Sequence, residues 1–190
     1  LITAPNSDGQ RDFLQELSRN KHQYSFKVTE FLTTIQGDNA HKLILEQLRL
    51  IEESKEPFDV VAIVRGGGSL ADFKPFDDYE LSAAVAKFPV PIYTGIGHDR
   101  NQSIVDLMAR EQKTPTKVAS LFVDHNFEFE NSLIDLKRRL GDTIADQLEN
   151  AKERLEHARR IIRLSSPQDI LNRGCAIITS NNKIVVDPAT

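Results

Sequence analysis

The sequence has 190 residues and a formal net charge of −4, and 39% of its residues are hydrophobic and 27% charged. These values are typical of a folded chain with one large domain, or one domain and an appendage, and they exclude a disordered chain. The acidic balance does not indicate a nucleic-acid-binding protein, so a polyanion site would have to be local. No apolar run approaches the roughly 20 residues that cross a bilayer, which argues against a membrane protein, and no signal peptide is visible.

The single cysteine and the chain ends bear on where the protein acts. One cysteine, Cys175, excludes an internal disulfide framework and is typical of the reducing cytoplasm. Because Cys175 lies in an apolar run, we expect it to be buried. The chain starts at Leu1 without a methionine and stops shortly after an apolar run, so we expect it to be a fragment of a longer protein.

Strand-like and helix-like segments alternate over the first 115 residues. The pattern predicts strands at 1–3, 26–32, 58–64 and 91–94, and helices at 8–20, from a cap at Asp38 or Asn39 to about 54, near 77–87, and from about Ile104. The first helix has Phe13, Leu14 and Leu17 at helical spacing, and the candidate buried positions on the second are Leu43, Leu45, Leu48 and Ile51.

This alternation predicts an α/β fold, with a parallel sheet that is flanked by helices. In such sheets, ligands bind beyond the carboxyl ends of the strands. We therefore expect the turns at 4–9, 65–69 and 95–102 to surround one crevice.

A long amphipathic helix is predicted at 116–163. Its apolar stripe has residues three or four positions apart: Val118, Phe122, His125, Phe129, Leu133, Leu136, Leu140, Ile144, Leu148, Ala151, Leu155, Ala158 and Ile162. At 1.5 Å per residue the helix would extend roughly 70 Å, beyond a body of ~115 residues. The stripe therefore needs a cover, which would be a second copy of the chain or a different protein. The alternative is a helix that folds back on its own domain, which would cover only part of the stripe.

The C-terminal region is predicted to contain strands. After Ser165-Ser166-Pro167 ends the long helix, segments 174–179 and 183–186 are expected to be two strands around the turn at Asn181-Asn182. They would form a hairpin, or at least one strand that returns to the body. The predicted organisation is an α/β body at 1–115, a protruding helical extension at 116–165 and a C-terminal strand segment at 166–190.

The segment at 60–69 is the most informative one for function. A strand-like apolar run is followed at once by Arg65, then by Gly66-Gly67-Gly68 and Ser69. Consecutive glycines let backbone N–H groups converge on an anion, and an arginine adds a planar set of donors suited to phosphate. The alternative interpretation is a plain strand-to-helix turn.

Three polar side chains follow predicted strand ends, namely Asp12, Arg65 and His98. His98 could act as a general acid or base near neutral pH, although a structural hydrogen bond explains a lone histidine better. The patterns H-x-x-x-H and C-x-x-C are absent, so we expect no dedicated metal site. The nucleotide-binding patterns G-x-x-x-x-G-K-[ST] and G-x-G-x-x-G are absent too. Asp77 or Asp78 is better explained as a helix cap than as a catalyst.

Several motifs together resemble the large subunit of bacterial exodeoxyribonuclease VII. They are Arg65-Gly-Gly-Gly-Ser-Leu-Ala-Asp-Phe-Lys-Pro-Phe-Asp-Asp78, Gly97-His98 with Ile104-Val-Asp106, and Thr114-Pro-Thr116. The resemblance runs from Leu1 to the C-terminus, with the long helix matching in character only. It implies a cytoplasmic nuclease that degrades single-stranded DNA to short oligonucleotides without strict need for a divalent metal. The chain would lack the family's amino-terminal OB-type domain, and its long helix would bind copies of the small subunit.

The resemblance also implies roles for individual residues. The family's catalytic aspartate, arginine and histidine correspond to Asp12, Arg65 and His98, and the phosphate would be bound by Gly66, Gly67, Gly68 and Ser69. Asp99 and Asn101 are further catalytic candidates, because the family usually has Gly-His-Glu-Thr-Asp where this chain has Gly-His-Asp-Arg-Asn. Asn101 lacks the charge of the family's aspartate, so either Asp99 acts in its place or the carboxylate is not essential.

Two other hypotheses stay open. The chain could be a module that binds a sugar phosphate or nucleotide without hydrolysing anything. It could also be inactive alone, because the DNA-binding domain and the small subunit of the family are missing. Turnover of labelled single strands, compared with ligand-induced thermal shifts, separates binding from catalysis.

Overall fold

The computed structural model describes residues 1–67, 70–96 and 102–185, with the backbone alone at 70–72. The chain divides into two compact units, Leu1–Asn131 and Ser132–Thr190.

The first unit is built on a parallel sheet, which confirms the predicted α/β class. Over the described part of this unit, its strands are β1 Ile2–Thr3, β2 Phe31–Leu32, β3 Val61–Val64, β4 Ile92–Gly95 and β5 Arg110–Glu111. They lie in the order β2-β1-β3-β4-β5, and every neighbouring pair is parallel. β3 and β4 are aligned over their whole length, so that Val64 at the end of β3 lies opposite Gly95 at the end of β4.

The two edge strands differ from the sequence prediction. Only Phe31–Leu32 of the predicted strand at 26–32 joins the sheet, where Phe31 N–H donates to the Leu1 carbonyl. The neighbouring strand β1 has only two residues, so further residues of the predicted strand at 26–32 have no strand residues to pair with. β5 carries no apolar pattern, because Arg110 and Glu111 are both charged.

The helices largely follow the predicted pattern. They are α1 Asp8–Ser18, α2 Ala40–Glu53, α3 Tyr79–Lys87, α4 Ile104–Met108, α5 Pro115–Leu164 and α6 Pro167–Asn172, and a 3₁₀ helix spans Leu70–Asp77. Side chains cap several of the starts; for example, Ser7 Oγ accepts from Gln10 N–H at 3.1 Å and Asp78 Oδ1 accepts from Leu81 N–H at 3.0 Å. The sequence pattern predicts neither α6 nor the 3₁₀ helix.

Helices cover both faces of the sheet. On one face, α1 and the first turns of α5 enclose an apolar cluster that includes Phe13, Leu17, Val64, Tyr93 and Val118. On the other face, α2, α3 and α4 enclose a cluster that includes Ile44, Leu48, Ile63, Leu81 and Val105. The central strands β3 and β4 are therefore packed from both sides.

The second unit contains the rest of α5, α6 and a hairpin. β6 Thr179–Ser180 and β7 Lys183–Ile184 pair antiparallel around Asn181 and Asn182, whose φ angles of 53° and 62° are typical of a two-residue hairpin turn. No residue of this unit is buried over 132–185. The expectation that Cys175 is buried is therefore wrong: it is exposed, because its apolar run has no core to enter. Among the residues described in either unit, no helix has both the length and the apolar character needed to span a membrane.

Candidate active site

The strand order predicts a ligand-binding crevice between β1 and β3. From this pair the sheet grows in two directions, to β2 on one side and to β4 and β5 on the other. At such a reversal the loops after the two strands run to opposite faces, and ligands of α/β sheets bind in the cleft between them. Here the loops are residues 4–7, which lead into α1, and residues 65–67, which follow β3.

Two glycines let α1 pack directly against the end of β3. A Cβ on Gly9 would lie 2.5 Å from the backbone nitrogen of Gly66 and 2.6 Å from the carbonyl carbon of Arg65. A Cβ on Gly66 would lie 2.9 Å from the backbone nitrogen of Gly9. Neither position can hold a side chain without a backbone shift. The first turn of α1 is therefore packed tightly against the Arg65–Gly66 peptide, at the place where the crevice is predicted.

Arg65 is the first residue after β3, and it is only 3% exposed. Its guanidinium carbon lies 4.6 Å from the centre of the Phe73 ring, in a cation–π contact. Its backbone N–H donates to the Gly95 carbonyl at 3.2 Å, which extends the pairing of β3 with β4 by one residue. Burial and stacking thus hold the guanidinium against Phe73, and the backbone of Arg65 is bonded to the end of β4.

The end of β4 is packed against the start of α5. A Cβ on Gly95 would lie 2.8 Å from Cγ2 of Val118 and 3.1 Å from the backbone nitrogen of Pro115. Because Arg65 is bonded to Gly95, this contact brings the first turn of α5 to the same edge of the sheet. The sequence reaches Gly97 and His98 directly after this point.

Asp12 lies on α1, one helical turn after Gly9, and is exposed. Residues three apart are neighbours on a helix surface. Asp12 therefore lies next to Gly9, the residue of α1 that contacts Gly66. One turn further, Glu16 accepts a hydrogen bond from Ser120 Oγ of α5 at 2.9 Å. This face of α1 is therefore directed towards α5, whose first turn also contacts Gly95.

Comparison with known proteins identifies the family. A family model for the large subunit of exonuclease VII matches residues 1–161. The chain belongs to the exonuclease VII large-subunit family. Three curated relatives, each named exodeoxyribonuclease 7 large subunit, show how far the likeness extends. The relative from Clostridium acetobutylicum is 31% identical over 188 residues, which are 98% of this chain and 46% of the relative.

The other two relatives give the same result. The one from Pseudothermotoga lettingae is 30% identical, over 96% of this chain and 46% of the relative. The one from Desulfitobacterium hafniense is 29% identical, over 88% of this chain and 41% of the relative. The chain thus spans less than half the length of these curated exonuclease VII relatives.

All the site residues that the sequence predicts lie within residues 1–161, the range that the exonuclease VII family model matches. The structure packs Arg65 and Gly66 against the first turn of α1, with Gly67 next in the chain and Asp12 one turn further along α1. The remaining predicted residues lie outside the described part of the chain: Gly68, Ser69, His98, Asp99 and Asn101. The convergence of Asp12, Arg65 and His98 stays a prediction.

Two acidic residues to which the sequence assigns no catalytic role anchor segments next to this site. Asp77, at the end of the 3₁₀ helix, accepts the N–H of Ile104 at 3.0 Å. Asp106 of α4 accepts the N–H of Ser103 at 3.1 Å and its hydroxyl at 2.8 Å. The pattern Ser-x-x-Asp at 103–106 is a capping box, which is the sequence signal that could have identified Asp106.

The chemistry available at the crevice follows from its donors. They include the guanidinium of Arg65 and backbone amides after β3, and one turn along α1 the carboxylate of Asp12 adds an acceptor. Guanidinium and amide groups bind phosphate and stabilise negative charge on it. Over residues 1–67, 70–96 and 102–185, no group of three or more His, Cys, Asp or Glu side chains is arranged to hold a metal ion.

Proposed function

We propose that this chain is the catalytic part of an exonuclease that hydrolyses single-stranded DNA to short oligonucleotides in the cytoplasm. Family membership and the names of the relatives support a nuclease. The observation that carries the location of the site is the contact of Gly9 with the Arg65–Gly66 peptide. This contact holds backbone amides and an arginine at the strand reversal, where sheets of this kind bind ligands.

The proposed reaction is the attack of water on the phosphorus of a phosphodiester. One P–O bond forms to the water oxygen, and one P–O bond to a deoxyribose oxygen breaks. A proton leaves the water, and a proton reaches the departing oxygen. His98 would take up or supply one of these protons, and Asp12 would orient His98 or activate the water.

Arg65 and the amides of residues 66–69 would stabilise the charge that develops on the scissile phosphate. The burial of Arg65 supports this role, because a cation attracts an anion more strongly in a low-dielectric setting than in water. The stacking on Phe73 supports it too, since a guanidinium binds two phosphate oxygens only when its plane is correctly oriented.

We propose further that a divalent metal is not strictly required, because cationic and amide donors supply the stabilisation. The test uses the large subunit in complex with the exonuclease VII small subunit, on end-labelled single-stranded DNA in excess EDTA. Release of short oligonucleotides is expected to continue. Complete loss of cleavage that returns with Mg²⁺ would reject the metal-free mechanism.

Two substitutions test the residues in the same assay. Arg65→Ala and His98→Ala should each abolish cleavage while the protein keeps its fold, as circular dichroism would show. A near wild-type rate in either variant would remove that residue from the mechanism. A wild-type complex that nucleotides or sugar phosphates stabilise against heat, but that cuts no strand, would instead indicate a phosphate-binding module. The isolated 190-residue chain is a further sample, and we expect it to be inactive alone.

We also propose that the apolar stripe of α5 binds the small subunit. At its start the stripe is covered by the core of the first unit, where Val118 is fully buried. Farther along, apolar residues of the stripe are between 49% and 60% exposed, namely Leu133, Leu136, Leu140, Ile144, Leu148 and Leu155. An exposed apolar row of this length favours a helical partner.

Ile144→Lys tests this interface, and Asn150→Lys is the control, because it adds the same charge about 120° away around the helix. Co-purification with the small subunit should be lost in the first variant and kept in the second. A second copy of the chain is the alternative cover, and Ile144→Lys would then convert a dimer to a monomer without affecting the small subunit. Equal small-subunit binding by both variants would reject the stripe as its binding site.

A further inference from the structure

Asp106 of α4 is a buried carboxylate, only 2% exposed. Its Oδ2 accepts two hydrogen bonds from Ser103, one from the backbone N–H and one from the hydroxyl. The Ser103 hydroxyl in turn accepts the N–H of Asp106 at 3.2 Å. The other carboxylate oxygen, Oδ1, is buried and has no hydrogen-bond partner within the described part of the chain.

Helix capping alone does not explain this arrangement. Ser7 and Asp78 cap the longer helices α1 and α3 through one side-chain hydrogen bond each. α4 has five residues, yet the partner of its N-cap Ser103 is a buried carboxylate whose Oδ1 has no hydrogen-bond partner among the described residues. A buried carboxylate oxygen without a hydrogen-bond partner is destabilising, and a neutral side chain at position 106 would avoid that cost. Such local costs are commonly retained at functional sites.

The position of Asp106 indicates which site it serves. Ser103 comes five positions after His98 and two after Asn101 in the sequence. Beside Ser103, the N–H of Ile104 is held by Asp77, which ends the 3₁₀ helix that follows the glycine turn. The segments after β3 and after β4 are thus joined at the start of α4. Both are anchored in the same core cluster, through Phe76 and Val105.

We propose that Asp106 is a positioning residue of the nuclease site: its carboxylate holds Ser103, and through Ser103 the end of the segment that carries His98. This inference rests on the proposed function, because it takes His98 as the acid or base. Hydrogen bonds to an ionised carboxylate are stronger than hydrogen bonds to a neutral amide. The charge of Asp106 therefore holds Ser103 more firmly than an uncharged side chain at position 106 would. In this role Asp106 need not contact DNA.

The test compares Asp106→Asn with Asp78→Asn in the complex of large and small subunits. Each change replaces a carboxylate at a helix start by an amide of the same size, but Asp78 caps α3, whereas Asp106 bonds Ser103 at the start of α4. In Asp106→Asn, kcat on single-stranded DNA should fall about tenfold or more, and KM should stay within about twofold. Asp78→Asn should keep the wild-type kcat. Ser103→Thr, which retains the hydroxyl, should keep kcat as well, whereas Ser103→Ala should lower it.

A wild-type kcat in Asp106→Asn, or an equal fall in Asp78→Asn, would overturn the positioning role. Failure of the proposed function gives a different result, in which the wild-type complex cuts no strand. The rate at which diethyl pyrocarbonate modifies His98, read by mass spectrometry, then tests the positioning independently of catalysis. We expect Asp106→Asn to change this rate at His98 and at none of the other histidines, and Asp78→Asn to change none. An unchanged rate at His98 in Asp106→Asn would overturn the proposal.

Discussion

Gly9 and Gly66 lie so close together that a Cβ on Gly9 would be 2.5 Å from the backbone nitrogen of Gly66. The contact seats the first turn of α1 on the peptide that follows Arg65. One turn along the same helix is Asp12, so a single contact sets the position of this carboxylate relative to the glycine turn. Disturbing the contact should therefore affect both parts of the proposed site.

Gly9→Ala should destabilise the protein and slow DNA cleavage. The added methyl group would meet backbone atoms rather than a flexible side chain, and overpacking of this kind costs about 1–3 kcal/mol. Urea denaturation measures the free energy of unfolding. Gly67→Ala is the control for stability, because a Cβ there meets no described atom within 4 Å, and it should stay within about 0.5 kcal/mol of wild type. Equal stability of Gly9→Ala and wild type would contradict the contact.

Arg65→Lys should keep the fold and lose most of the activity. Lysine preserves the charge but not the planar donor set, and a donor that stabilises the transition-state oxyanion is worth about 10²–10³ in kcat. Arg110→Ala is the matched control, because Arg110 also lies over an aromatic ring, that of Tyr93 at 5.5 Å, but on the edge strand β5. Its kcat should equal that of wild type. Full activity of Arg65→Lys would show that a point charge is sufficient.

Asp12→Asn should lower kcat by about 10²–10⁴-fold, the usual contribution of a group that moves a proton or orients one that does. The amide keeps the size of the side chain and removes its charge and basicity. Glu16→Gln, one turn further along α1, retains the oxygen that accepts from Ser120 and should change neither kcat nor the melting temperature appreciably. Single-turnover cleavage of labelled DNA measures both variants. A comparable fall in Glu16→Gln would mean that the charge of α1 matters, rather than Asp12 itself.

Tyr24 should hold its proton to unusually high pH. The hydrogen bond that Tyr24 donates to Glu130 of α5 is the main cause that raises the pKa of Tyr24 to about 12. Because the folded state binds this proton more tightly than the unfolded state, the bond stabilises the fold fully below pH ~10, the ordinary pKa of tyrosine. The contribution is lost as the pH rises from ~10 to about 12.

Ultraviolet titration of the tyrosines measures this shift, and Tyr24→Phe identifies the signal of Tyr24 among the three. Glu130→Gln should lower the pKa of Tyr24, because an amide oxygen attracts the phenol proton less than a carboxylate does. An identical Tyr24 titration in wild type and Glu130→Gln would contradict the bond.

The central sheet could be predicted because β3 and β4 are short apolar runs bounded by turn residues, the pattern of strands that are buried on both faces. Burial on α2 was harder to assign. Leu43 is half-buried and Ile44 fully buried, although the sequence favours Leu43. Adjacent apolar residues leave the phase of a helix ambiguous by about 100°. The contacts with the sheet decide which residue turns inward.

The surroundings of Arg65 could be predicted only in part. The motif at 65–69 locates Arg65 and the glycine turn, but nothing in it indicates that Arg65 is buried. Phe73, which covers the guanidinium, lies in a 3₁₀ helix that contains Pro75 and lacks the helical apolar period. The role of Gly9 was not predictable either, because it depends on a backbone contact with residues far away in the sequence.

The most direct test of the central claim is a crystal structure of the large and small subunits with a single-stranded oligonucleotide bound. The account predicts that Asp12, Arg65 and His98 surround one phosphodiester at the carboxyl ends of β1, β3 and β4, with Arg65 donating to its oxygens. A phosphodiester bound elsewhere, with these three side chains directed to separate surfaces, would contradict the account.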